Sequence, residues 1–109
     1  GPATRLQWGS SYVGNLVDLT PADVKRVSAA AGAVISGLEP KGETFFERNE
    51  RSLQKMAKKL ATWQGNDVAR VKVVAKLKEQ LARTCAKLPA KESGRANCDN
   101  VFSGVQTPS

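Results

Sequence analysis

At 109 residues the chain is long enough for one domain with a modest core, and 40% apolar and 25% charged residues are ordinary for a globular protein. No apolar run approaches the ~20 residues that a membrane-spanning helix needs, and the absence of His removes the commonest general acid and base of enzymes. The 17 Lys and Arg exceed the 10 Asp and Glu, and the net charge of +7 favours an anionic partner. We predict a single domain over 1–109.

The first 19 residues scatter large apolar side chains among small and polar ones, including Gly9, Ser10, Ser11 and Gly14, a pattern that does not indicate a helix. We therefore predict an extended arm over 1–19. Its large side chains are expected either to pack back on the core or, in the case of Trp8 and Tyr12, to dock on a partner. The chain opens Gly-Pro, a dipeptide that tag-removal proteases leave, so a signal peptide or lipid anchor of a precursor would be missing from this sequence.

The next segment is typical of a helix start. Thr20 is placed as the N-cap and Pro21 as the first helical residue. Apolar residues from Val24 to Leu38 follow helical spacing, and Gly37 suits the end of the helix. We predict a helix over 20–38.

Two basic amphipathic helices of similar length are predicted over 44–64 and 66–88. Residues 44–47 match a capping box, Gly65 suits the residue that ends the first helix, and Pro89 would end the second. A connection this short forces the two helices antiparallel. We therefore predict an all-α three-helix bundle that contains a long antiparallel α-hairpin. The predicted core residues are Val27, Val34, Leu38, Phe46, Leu53, Leu60, Val74, Leu77, Leu81 and Leu88.

The two cysteines predict a disulfide. Because Pro89 and Gly94 let the chain reverse, Cys85 and Cys98 can meet and tether an irregular C-terminal tail over 89–109. Closing a loop of roughly 14 residues would stabilise the fold by about 3 kcal/mol on the chain-entropy model. A disulfide favours an exported location, periplasmic or extracellular, whereas free thiols would favour the cytoplasm. Two thiols without His are too few for a zinc site, so we predict no metal.

The residues argue against an enzyme, because the chain has neither a Gly-rich phosphate loop nor a metal-loop spacing, and we predict no cofactor. The favoured function is a non-enzymatic protein-binding module in an exported setting, such as an accessory or assembly factor, a lipoprotein domain, an inhibitor or an effector. The alternative is a basic nucleic-acid-binding protein, although no aromatic residue is interleaved with the basic stripes. Membrane contact would need a trimmed anchor or the surface charge alone.

The predicted contact residues lie on the arm and on the two basic faces of the hairpin. Residues 43–88 hold eleven Lys and Arg against five Asp and Glu. Such faces recruit a protein partner with an acidic surface, or they are simply the solvated sides of amphipathic helices. The predicted partner-binding residues are Trp8, Tyr12, Arg48, Arg51, Lys55, Lys72, Lys76 and Arg83.

Overall fold

The computed structural model describes residues 1–103, and these form helices and turns without strands. The four long helices are α1 (Pro2–Leu19), α2 (Val24–Ser36), α3 (Glu47–Gln64) and α4 (Val68–Cys85). A 3₁₀ turn, Gly42–Phe45, precedes α3, and a short helix, α5 (Arg95–Asp99), follows α4. The all-α bundle is confirmed, with one more long helix than predicted. Residues 104–109 of the predicted tail lie outside the described residues.

The extended N-terminal arm is wrong, because these residues form α1. The buried face of α1 includes Leu6, Val13 and Leu16, which follow helical spacing. Gly9 explains why a helix of low intrinsic propensity forms here. A Cβ atom on Gly9 would lie 2.8 Å from Cγ2 of Val34 in α2, so the glycine permits close packing of the two helices. Burial against neighbours outweighs the low propensity.

The predicted start of α2 at Thr20 is also wrong. Because α1 continues to Leu19, Thr20 is the C-cap of α1, and both its backbone amide, at 2.8 Å, and its hydroxyl, at 3.1 Å, donate to the carbonyl of Leu16. Asp23 is the N-cap of α2 instead, and its carboxylate accepts from the amide of Arg26 at 3.2 Å.

The predicted capping box at residues 44–47 does not form, because Thr44 lies within the 3₁₀ turn and α3 begins after Phe46. This turn changes which phenylalanine points inward. Phe45 is fully buried, whereas the predicted core residue Phe46 is 39% exposed. The other predicted core residues are all buried, namely Val27, Val34, Leu38, Leu53, Leu60, Val74, Leu77, Leu81 and Leu88.

The four long helices surround one core. Helices α1 and α4 each pack against both α2 and α3, so α1 and α4 lie across the core from each other. Helices α1 and α3 run parallel, because Gln7 donates to Asn49 near their starts and Lys59 pairs with Asp18 near their ends. The α3–α4 hairpin turns at Gly65, whose φ of 46° favours glycine.

The C-terminal segment closes one end of the bundle. The predicted Cys85–Cys98 disulfide is confirmed, and it holds α5 against α4. The Asn97 side chain donates to the carbonyl of Phe45 at 3.0 Å, which ties α5 to the turn before α3. Gly94, with φ of 92°, lies directly on the backbone of Gly42. The described part of the tail therefore packs on the segment that joins α2 to α3.

Candidate binding surface

Three large apolar side chains stand exposed on the outer face of α1. Trp8 is 75% exposed, Tyr12 51% and Leu19 80%. At 100° per residue they fall within an arc of about 40°. We call this row, Trp8, Tyr12 and Leu19, the α1 ridge. Scattered exposed apolar residues are normal, but a row of three on one helix face is typical of an interaction surface.

The second tryptophan shows how a structural indole is accommodated in this fold. Trp63 is 5% exposed, and its Nε1 donates to the carbonyl of Pro21 at 2.7 Å. The guanidinium of Arg70 lies 5.2 Å from the centre of the Trp63 ring. The Trp8 side chain is exposed, and its indole N–H has no hydrogen-bond partner among residues 1–103. Core packing therefore accounts for Trp63 and leaves Trp8 unexplained.

A polar groove of about 380 Å³ runs between the parallel helices α1 and α3. We call it the α1–α3 groove. The Gln7–Asn49 hydrogen bond lies near one end, and the Asp18–Lys59 ion pair near the other. Its principal polar lining residues are Gln7, Ser11 and Asn15 of α1 and Arg48, Ser52 and Lys55 of α3.

The groove has an unbalanced charge. Lys59 lines it and is paired with Asp18, but Arg48, Arg51 and Lys55 make no ion pair with any residue of the 1–103 segment. No Asp or Glu of that segment lines the groove. Arg51 and Lys55 line the groove and also border a second cavity of about 490 Å³ beside the C-terminal segment. The groove can therefore accept negative charge.

Ser10 lines the groove and is only 6% exposed. Its hydroxyl oxygen is buried and has no hydrogen-bond partner among the described residues. A buried hydroxyl without a partner is unfavourable, because it has lost its hydrogen bonds to water.

The predicted contact residues divide into two groups. Trp8, Tyr12, Arg48, Arg51 and Lys55 lie on α1 and α3, along the ridge and the groove. The remaining three lie on α4, on the face opposite its buried side chains, and are exposed: Lys72, Lys76 and Arg83.

Because α1 and α4 lie across the core, one flat partner surface cannot contact the α1 ridge and the outer face of α4 together. Leu19 and Ser10 were missed in the sequence because the segment was not recognised as a helix. The spacing of Leu6, Val13 and Leu16, which form the buried face of α1, was the available signal.

No group of three Asp, Glu or Cys residues within 1–103 could hold a metal ion. Over the same residues, every helix is either too short or too polar to cross a lipid bilayer. No protein-family model matches the chain, and neither a curated protein nor a solved structure is significantly similar to it.

Proposed function

We propose that the protein is a non-enzymatic protein-binding module that docks a partner on the α1 ridge. The observation that carries the proposal is the joint exposure of Trp8, Tyr12 and Leu19 on one helix face. Tyrosine and tryptophan dominate binding energy at interfaces, because they bury a large area at a low cost in side-chain entropy.

The proposed partner has an acidic surface. The ridge is a single row of three side chains that extends about 16 Å along α1, and such a row is too small to supply the roughly 800 Å² that a standard interface buries on each partner. A partner on the ridge would therefore extend over Ser11 and Asn15, each three residues from a ridge aromatic, toward the cations of the α1–α3 groove. Charges there would speed association and select acidic partners more than they would raise affinity.

The proposed setting is exported, periplasmic or extracellular. The disulfide supports this location, because such bonds persist in oxidising compartments and are rare in the cytosol.

The first test identifies the partner by photo-crosslinking from position 12 and measures its binding kinetics. Trp8→Ala should raise the dissociation rate at least about tenfold, as expected for loss of an aromatic anchor. Val68→Ala is the matched control, because Val68 is also exposed, at 70%, but begins α4 across the core. An equal effect of both substitutions would contradict a ridge interface.

The second test separates the protein-binding function from the nucleic-acid alternative. Lys55→Glu should lower the association rate for the protein partner and flatten its dependence on salt. Tight binding to arbitrary duplex DNA would favour the alternative instead, if affinity fell steeply with salt and Trp8→Ala had no effect.

A further inference from the structure

We propose that the α1–α3 groove is a binding site for a phosphate or sulfate group, either as the free anion or as an ester on a small organic molecule. This site lies beside the α1 ridge, and anion binding there does not require a protein partner. The proposal rests on the arrangement of the groove walls, on their donor chemistry and on the size of the groove.

The two walls come from parallel helices, and each contributes a polar stripe. On α3, Arg48, Ser52 and Lys55 recur at intervals of four and three residues and so lie on one side of the helix. On α1, Ser11 and Asn15 are four residues apart and line the opposite wall. A ligand between the walls would therefore meet donors from both sides.

The groove offers hydrogen-bond donors and positive charge without a competing carboxylate from the described residues. The Lys59 ammonium is already paired with Asp18, so Arg48, Arg51 and Lys55 supply the available charge. A guanidinium binds phosphate or sulfate through two parallel hydrogen bonds, and hydroxyl and amide groups donate to the remaining oxygens. A tetrahedral oxyanion presents oxygens toward both walls at once, whereas a carboxylate presents two oxygens in one plane.

The floor of the groove supports the same ligand. Ser10 contributes a buried hydroxyl that no residue within 1–103 satisfies. Gly14 lets the Lys59 side chain pack closely against α1, since a Cβ atom there would lie 3.2 Å from Cδ of Lys59. The space of about 380 Å³ lies within the usual range of small-molecule sites, about 300–1,000 Å³, so it admits an organic ester as well as the bare anion.

The experiment is a titration of the full, isotope-labelled chain, followed by NMR in a buffer free of phosphate and sulfate. The probes are inorganic phosphate, inorganic sulfate, glycerol phosphate and glucosamine 6-sulfate, so that free anions are distinguished from esters. Citrate is the carboxylate control. We expect saturable shifts of the backbone amides of Ser11, Asn15 and Ser52, with phosphate or sulfate probes binding more tightly than citrate.

Two double variants that remove equal charge locate the site. Arg48→Gln with Lys55→Gln should weaken binding by about tenfold or more, because two of the three unpaired cations that line the groove are lost. Lys72→Gln with Lys76→Gln, on the outer face of α4, should change it less than about twofold, as for exposed charges across the core. Trp8→Ala should leave anion binding unchanged. Thermal unfolding of each variant verifies that it is folded.

Several outcomes would overturn the proposal. One is a set of shifts spread evenly over the lysines and arginines of α3 and α4. Another is equal weakening by the two double variants, which would indicate general charge attraction. Tighter binding of citrate than of every phosphate and sulfate probe would reject the oxyanion chemistry, and the absence of saturable binding by all the probes would reject the site.

Discussion

Replacing Ser10 by Ala should stabilise the protein, although most substitutions in a buried position destabilise. The Ser10 hydroxyl is buried without a partner in the described residues, and an unsatisfied buried hydroxyl costs about 1–3 kcal/mol. Alanine also has a higher helix propensity than serine, by about 0.5 kcal/mol, and residue 10 lies within α1. Removing the hydroxyl leaves a small void, which offsets part of the gain. We expect the free energy of unfolding to rise by about 1–2 kcal/mol.

Ser11→Ala is the matched control, because Ser11 is the next residue of the same helix and is exposed. It should show only the propensity gain of about 0.5 kcal/mol. Urea unfolding followed by circular dichroism measures both free energies, and the difference between the two variants isolates the buried hydroxyl. In thermal unfolding each kcal/mol should raise the midpoint by roughly 4–8 °C for a domain of this size.

The reasoning is refuted if Ser10→Ala is less stable than the parent chain, or gains no more than Ser11→Ala. Either result would mean that the Ser10 hydroxyl makes a hydrogen bond in the folded protein. Addition of a saturating groove ligand should stabilise the parent chain, since a ligand that binds only the folded state raises its stability.

Three further predictions concern the packing of the bundle. Leu60→Ala should cost roughly 2–5 kcal/mol in urea unfolding because Leu60 is fully buried, and a loss below about 1 kcal/mol would contradict the core assignment. Reducing the Cys85–Cys98 disulfide should lower the free energy of unfolding by about 3 kcal/mol. Urea unfolding with and without dithiothreitol measures the change, and an unchanged midpoint would contradict a stabilising role of the disulfide. Gly94→Ala should cost about 1–3 kcal/mol in thermal unfolding, because φ is 92° and the new methyl group would overlap the backbone of Gly42; wild-type stability would contradict this packing.

The α3–α4 hairpin could be predicted because its sequence signals agree with one another. Apolar spacing, a glycine at position 65 and a short connection all indicate the same structure, and in the structure Gly65 has the positive φ that favours glycine. The disulfide could be predicted equally well, because two cysteines allow one intramolecular pairing and the chain reverses direction between them. In this half of the chain, the conformation that the local sequence favours is also the one that the tertiary structure requires.

Helix α1 could not be predicted in the same way, because its local preferences oppose its structure. Gly9 and the adjacent serines lower helix propensity, yet Gly9 is needed where α1 crosses Val34 of α2. The requirement for Gly9 comes from the tertiary contact, so the local signal for α1 is limited to the spacing of the apolar residues on its buried face. The same error displaced the start of α2, since Thr20 is a good N-cap residue that instead completes the end of α1.

The basic residues of α3 and α4 look alike in the sequence but have different surroundings in the fold. Arg48 and Lys55 stand beside a second helix, so an anion between the helices would contact donors from two walls. Lys72 and Lys76 stand on the outer face of α4, opposite its buried side. An exposed row of cations gains mainly screened, long-range attraction, which salt weakens. We therefore expect specific anion recognition from the α1–α3 groove, and a contribution to solubility and association rate from the outer face of α4.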